Sequence, residues 1–305
     1  VTHIITALIP IFALILIGYF FKKIAFPAKE FWPMADKFTY YVLMPALLIY
    51  KLSFAPPLSG DSVYVVLSGI ISLCIMVLLL ILCNAWLKFD GSSFTSIVQG
   101  GIRFNTYVLL AFVDGIFGDQ GLLIAVLLLT FMIPTINIIC ISLFAIYVPK
   151  THLSIKNVIK SIATNPLIVA CVIGGLINTT DLVVPIILEK TLLILSNAAL
   201  PLGLLSVGVG LHFREILTSK LGLILSSSIK LIVYPFTAFL VASYFELGNL
   251  ETSVVVLFSA MPTAVTSYIL ARQLGGNLNL MSSIITFQTL ISILSLTVIL
   301  PLLQA

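Results

Sequence analysis

The stretch Gly100-Gly101-Ile102-Arg103-Phe104-Asn105-Thr106-Tyr107 (GGIRFNTY) lies inside a long apolar segment. Two glycines, an arginine and an asparagine are costly in hydrocarbon, where a central charge costs at least ~2.5–3.5 kcal/mol on insertion scales. The surroundings show that hydrocarbon is the right solvent to consider. The chain has 305 residues, of which 60% are hydrophobic and 9% charged, against about 25% charged in a soluble domain. Apolar runs of spanning length recur throughout, so the chain is an all-α polytopic membrane protein.

Breaks at charge, Pro, Gly and Asn clusters give ten expected spans, approximately 3–21, 37–54, 62–87, 93–113, 121–147, 164–178, 185–211, 221–245, 251–272 and 279–302. The first run lacks a basic leader and a small-residue cleavage site, so it is taken as a span. Lys22, Lys23, Lys29, Lys37, Lys88, Lys150, Lys156, Lys160, Arg214, Lys220 and Arg272 all flank odd-numbered loops. The even-numbered loops carry Asp61, Asp119, Asp181 and Glu246 and no Lys or Arg. The positive-inside rule then makes the odd loops cytoplasmic and puts both termini outside, with the plasma (inner) membrane as the expected location. Lys51 and Lys190, near span ends, are expected to snorkel.

A shift of 156 residues carries Pro10 to Pro166, Gly18 to Gly174, Pro45 to Pro201 and Thr106 to Pro262. One offset across three spans suggests an internal repeat. Because it advances five spans, the copies must be inverted, as in many transporters. The expected halves are 1–148 and 164–305, joined by a short cytoplasmic linker over 149–163.

The repeat pairs the fourth span with the ninth. Arg103 lies ten residues beyond Ser93, or ~15 Å at ~1.5 Å per residue, near the midplane of a ~30 Å core. Broken helices at that depth free backbone groups, which is tolerable where they line a polar cavity or face one another. The expectation is therefore two interrupted helices crossing at mid-membrane with a ligand held there. Arg103 offers an anion a planar fork of donors, or else neutralises carbonyl ends or pairs with a carboxylate. Asn105 and Thr106 contact ligand or cap the freed backbone. Pro262, Thr263, Thr266 and Ser267 form the counterpart break.

Lys230, in KLIVYP, either attracts substrate as a cation or, the favoured reading, supports the crossing by offsetting negative half-helix ends, as Gly100, Gly101 and Pro134 support it by loosening or bending helices. Asn137 and Gln288 line the cavity or serve as interhelical glue. Cys74, Cys83, Cys140 and Cys171 have no metal or redox spacing and are expected to be small buried hydrophobes. No metal site, catalytic constellation, HExxH or P-loop is expected, and the dispersed net charge of +4 gives no reason to expect nucleic acid. An enzyme is therefore not expected. A receptor that binds without moving its ligand, and a scaffold protein, are the other classes; the inverted repeat disfavours the first and the cost of buried Arg and Lys the second.

GYFFKK (18–23), YYVLMPALL (40–48), GGIRFNTYVLLAF (100–112), KLIVYP (230–235) and MPTAVTSYILARQLGG (261–276) together resemble the auxin efflux carrier family. NPLIVACVIGGLIN (165–178) and ALPLGLLSVGVGL (199–211) look like its second-half pattern. The family includes plant auxin exporters and bacterial malonate- or malate-type carriers. The resemblance implies ten helices in inverted repeats, a crossover of helices 4 and 9, and an architecture similar to bile-acid sodium symporters and sodium/proton antiporters. It further implies a scaffold of spans 1, 2, 6 and 7, a transport domain of spans 3–5 and 8–10, elevator-like movement and a homodimer through the scaffold. The short linker, and Gly100, Gly101 and Asn105 where plant exporters carry a proline, look more like bacterial members. The implied function is secondary transport of a small organic anion, a carboxylate, with no cofactor; sodium or proton coupling is left open. The alternative is a sodium-coupled symporter of the bile-acid type.

Overall fold

The computed structural model describes residues 2–54, 62–148, 163–180, 184–212 and 220–303. Residues 149–162 of the expected linker lie outside the described residues, as do Asp61, Lys150, Lys156, Lys160, Asp181 and Arg214. Every regular element among the described residues is helical. Five helical stretches are long and apolar enough to cross a membrane: Ser62–Leu87, Gly91–Tyr147, Ile186–Val209, Lys220–Tyr244 and Leu278–Pro301.

Helix α1 spans Thr2–Lys23. A second rod comprises α2 (Phe31–Phe38), a π-helical segment (Thr39–Leu43) and α3 (Met44–Ser53). It starts six residues before the expected 37. Helices α4 (Ser62–Leu87), α5 (Gly91–Ile102) and α6 (Thr106–Tyr147) follow. Then come α7 (Pro166–Thr179) and α8 (Ile186–Val209). The next rod is α9 (Lys220–Ser228), a second π-helical segment (Ile229–Val233) and α10 (Tyr234–Tyr244). The chain closes with α11 (Asn249–Ala260), α12 (Thr266–Leu274) and α13 (Leu278–Leu303).

Both π-helical segments sit just before a proline, Pro45 in α3 and Pro235 in α10. A proline ring has no N–H and clashes with the carbonyl four residues earlier. One widened turn accommodates both defects without breaking the rod. Helix α6 has 42 residues, about 63 Å at ~1.5 Å per residue. It is divided at Gly118, whose φ of 59° and ψ of −153° are outside the helical region.

Close backbone approach fixes the pairing of α1 with α8 and of α7 with α3. A Cβ added to Gly18 would stand 2.9 Å from Leu205 Cα, and one added to Gly174 would stand 3.2 Å from Ile49 Cα. The offset of 156 carries Gly18 to Gly174 and Ile49 to Leu205, so each contact is the counterpart of the other with the partners exchanged. Small residues at such seams let helices gain dispersion contacts that hydrocarbon would not otherwise favour. Gly18→Val is expected to cost ~1–3 kcal/mol by overpacking, read as a lower unfolding midpoint in detergent. Gly175→Val, with open space around its Cα, is expected to leave the midpoint unchanged. Equal midpoints for the two variants would contradict the seam.

The interior is built from α5, α11 and the first arm of α6. Residues Ser93 to Ile102 of α5 and Ser253 to Ala260 of α11 are all buried. Helices of this kind have no lipid-facing side, which explains their small and mixed composition. The start of α13 is tied to the start of α5 by Asn277. Its backbone N–H donates to Ser92 O at 3.0 Å, and its Nδ2 donates to Ser93 Oγ at 3.0 Å. Asp90 caps α5 by accepting from Ser93 N at 3.0 Å. Hydrogen bonds from Ser92 and then Ser93 hold the Asp90 carboxyl below its usual range, against a smaller opposing effect of burial. Cys140 and Cys171 are buried as expected, whereas Cys74 is exposed on the outer face of α4.

Candidate functional site

Helices α5 and α11 have 12 residues each, about 18 Å of helix, and neither alone crosses a ~30 Å core. Both end inside the molecule, and both are followed by extended backbone. Arg103 has φ −73° and ψ 158°, and Met261 has φ −65° and ψ 139°. After three non-helical residues α6 begins, and after five α12 begins. The sequence explains where the breaks fall. Asn105 caps α6 by accepting from Tyr107 N at 3.1 Å and Val108 N at 3.2 Å, and Pro262 cannot donate to the turn before it.

The two breaks face each other and exchange the hydrogen bonds that each has lost. Asn105 N–H donates to Pro262 O at 2.8 Å. Thr263 Oγ1 lies 2.9 Å from Gly100 O, 3.2 Å from Arg103 O and 3.3 Å from Gln99 O, and its single proton goes best to the nearest. Gln288 on α13 bridges both breaks, accepting from Thr263 N at 3.0 Å and donating from Nε2 to Gly100 O at 3.0 Å. Phe104 and Phe258 pack across the junction with ring centroids 4.3 Å apart. Orphan groups at a helix end need such partners wherever water is excluded.

The expected site residues therefore divide into two sets. Asn105, Thr263, Gln288 and Pro262 are buried and engaged in the junction. Gly100 and Gly101 lie inside α5 rather than in the break. Their missing side chains admit Ile284, 2.6 Å from an added Cβ at Gly100, and Leu80, 2.9 Å from one at Gly101. Pro134 lies within the second arm of α6. Lys230 is fully buried in the second π-helical segment, which packs on both α5 and α11. Its Nζ sits 4.7 Å from the Tyr234 ring centroid and has no hydrogen-bond partner among the described residues.

The second set opens to the outside of the protein. Arg103 is half-buried, as are Asn137 and Thr106, and Thr266 is exposed. Arg103 Nη1 donates to Asn137 Oδ1 at 3.1 Å, and Nη2 reaches Thr266 Oγ1 at 3.5 Å. Both acceptors are neutral, and among the described residues no carboxylate lies within ion-pairing distance of Arg103. Thr266 is the first residue of α12, whose N-terminus has no side-chain cap. A guanidinium and the positive end of α12 thus converge on one accessible position. The Ser267 and Tyr268 N–H groups already donate to Ala264 O and Val265 O, so the helix end contributes its dipole and the guanidinium the free donors.

Three features of this region were not anticipated. Gln99, one turn before Arg103 on α5, is fully buried with both amide atoms unpartnered among the described residues. Tyr40, in the first π-helical segment, lies within electrostatic reach of Arg103 and beside Asn165. Tyr107 packs its ring over Gly203 of α8, 2.7 Å from an added Cβ. A glutamine four residues before a mid-span arginine is a usable signal; the tyrosines have none, because the contact is made across distant helices. Lys51 pairs with Asp119 at 2.6 Å and Asp114 at 3.6 Å, on either side of the Gly118 kink, a partnership that the sequence did not indicate.

A family profile described as "Membrane transport protein" matches residues 3–300, almost the whole chain. The chain belongs to this family of membrane transporters, that of the auxin efflux carriers. Two archaeal relatives agree. An uncharacterized transporter of Methanothermobacter thermautotrophicus is 26% identical over 297 residues, covering 94% of each chain. An uncharacterized transporter of Methanocaldococcus jannaschii is 24% identical over 297 residues, covering 92% of each chain. The protein is accordingly a membrane transporter and not an enzyme. For a transporter, an unneutralised arginine beside two interrupted helices is a candidate substrate contact.

Proposed function

We propose that this transporter moves a small organic anion, a carboxylate, with Arg103 and the N-terminus of α12 as its anion contact. The observation that carries this is Arg103 itself, a half-buried cation whose Nη atoms have only neutral acceptors. A mobile anion supplies the missing countercharge. Asn137 and Thr266 hold the guanidinium fork in place and add polar contacts, and Thr106 sits at the neighbouring N-terminus of α6. Asn105, Thr263, Gln288, Pro262, Gly100, Gly101, Pro134 and Lys230 build the junction that presents the site.

The same reading gives ten membrane-spanning helices in two inverted five-helix repeats, over 1–148 and 164–305. The exchanged contacts of Gly18 with Leu205 and Gly174 with Ile49 support it. Helices α1, α2–α3, α7 and α8 form a scaffold that dimerises, and α4–α6 with α9–α13 move against it as an elevator. Both termini lie on the non-cytoplasmic side of the plasma membrane. The sodium-coupled alternative is less well supported, because the freed carbonyls of Gly100 and Pro262 already accept hydrogen bonds. Uptake of labelled short mono- and dicarboxylates into proteoliposomes, with and without sodium, tests the assignment. Net carboxylate uptake that neutral amide analogues fail to inhibit is expected. Inhibition by the amides as strong as by the acids contradicts an anion site.

In this reading the Lys51–Asp119 pair links scaffold to moving domain. It is open to solvent, with side-chain exposures of 24% and 78%, so it is worth only ~0.2–1 kcal/mol and is weakened by salt. Lys51→Ala is therefore expected to change the uptake rate by less than about fivefold, with the difference shrinking at high ionic strength. A loss of transport in this variant would mean that Lys51, too, contacts substrate.

A further inference from the structure

One cavity lies apart from the junction residues. It is a groove of about 750 Å³ between the α9–α10 rod and α13. Leu231, Pro235 and Phe239 form one wall, and Ile291, Leu294 and Val298 the other. Leu294 and Val298 at its rim are each 63% exposed. Both rods are long and apolar enough to span a membrane, so the groove opens sideways into hydrocarbon. From Ile224 to Phe239 it covers sixteen residues of helix, fifteen rises or ~22 Å at ~1.5 Å per residue, the length of one extended long acyl chain.

Three serines, Ser227, Ser228 and Ser295, line this otherwise apolar slot, and one lysine stands just beyond its end. Ser227 lines it, is 4% exposed, and its Oγ has no hydrogen-bond partner among the described residues. Lys220 stands one turn before Ile224 on the same face of α9, exposed and with no carboxylate in ion-pairing distance among the described residues. An exposed basic side chain at the start of a span-length rod, one turn beyond the end of an apolar slot, matches a phospholipid that has an anionic head group and a long tail.

We propose that this groove holds one acyl chain of an anionic phospholipid, with its phosphate at Lys220. The groove floor includes Val256 of α11, five residues before the second break begins at Met261. The bound chain therefore fills the space behind one of the two half-helices that meet at the junction. This site is separate from the anion contact at Arg103 and does not depend on it.

The test uses the full chain in nanodiscs that contain a trace of phosphatidylglycerol or phosphatidylcholine carrying a diazirine in the acyl chain. After photolysis, labelled positions are mapped by mass spectrometry. Label should concentrate in 224–239 and 287–303, with phosphatidylglycerol exceeding phosphatidylcholine by about fivefold, as expected for one lysine beside an anionic head group. Lys220→Gln, a surface change that keeps the fold, should remove that preference. Ser227→Phe should lower labelling of the groove, while Val172→Phe, on the exposed face of α7, should leave it unchanged. Label spread evenly over all lipid-facing helices, or equal labelling by the two lipids, overturns the proposal. So does displacement of phosphatidylglycerol by an equimolar free fatty acid, or photocrosslinking of two copies of the chain through this face.

Discussion

Arg103→Ala is expected to lower carboxylate uptake by at least about 30-fold. Truncating one partner of a hydrogen-bonded charge pair costs ~2–5 kcal/mol, and every ~1.4 kcal/mol is a factor of ten. Arg103→Lys should recover only part of the loss, because an ammonium keeps the charge but not the planar fork that reaches Asn137 and Thr266 together. The unfolding midpoint should move little in either variant, since the guanidinium is half-exposed and its two acceptors can be solvated. Initial uptake rates, normalised to folded protein in the same proteoliposomes, provide the check. Near-normal uptake in the alanine variant would leave Arg103 as a support for the junction and nothing more.

The second large effect is on stability rather than transport. In Gln288→Leu the buried N–H of Thr263 loses its acceptor, at ~1–3 kcal/mol. In Thr263→Val the Gly100 carbonyl loses one of its two donors and keeps Gln288 Nε2 at 3.0 Å. Only the double variant leaves that carbonyl with neither. The pair should therefore cost more than the sum of its parts, ~3–6 kcal/mol in all, because buried networks with a shared group are not additive. Chemical unfolding in mixed detergent micelles of the wild type, both single variants and the double variant measures the coupling. Simple additivity would mean that water already reaches the junction and satisfies Gly100.

The positions of the two breaks were legible because polar and helix-weakening residues at GGIRFNTY and MPTAVTS stand out against apolar surroundings. The exchange of roles within them was not. Nothing local distinguishes Thr263, which is committed to the α5 carbonyls, from Thr266, three residues on and exposed beside Arg103. That difference is set by which helix lies opposite. The way the glycines serve the junction was hidden for a related reason. A paired glycine weakens a helix in isolation, but here α5 continues past Gly101 and the absent side chains serve packing against Ile284 and Leu80. Pro45 and Pro235 were visible as punctuation, yet a widened turn and a broken helix share the same sequence sign. The pairing of Lys51 with Asp119 spans 68 residues, beyond any local pattern.

The magnitudes also order the charged residues. Under the proposals made above, Lys51, paired and solvated, would adjust a rate; Lys220, exposed beyond the end of a groove, would select a lipid; Arg103, half-buried without a countercharge, would determine whether an anion is held at all. The most direct test of that last role is ligand-induced stabilisation of purified wild type and Arg103→Ala, measured by thermal shift across short mono- and dicarboxylates and their neutral amides, with and without sodium. The expected result is a carboxylate that stabilises the wild type, an amide of the same shape that does not, and no shift with either in Arg103→Ala, whose own midpoint stays near that of the wild type. Equal stabilisation of both proteins by the same carboxylate would contradict the account, because the anion would then be held without Arg103.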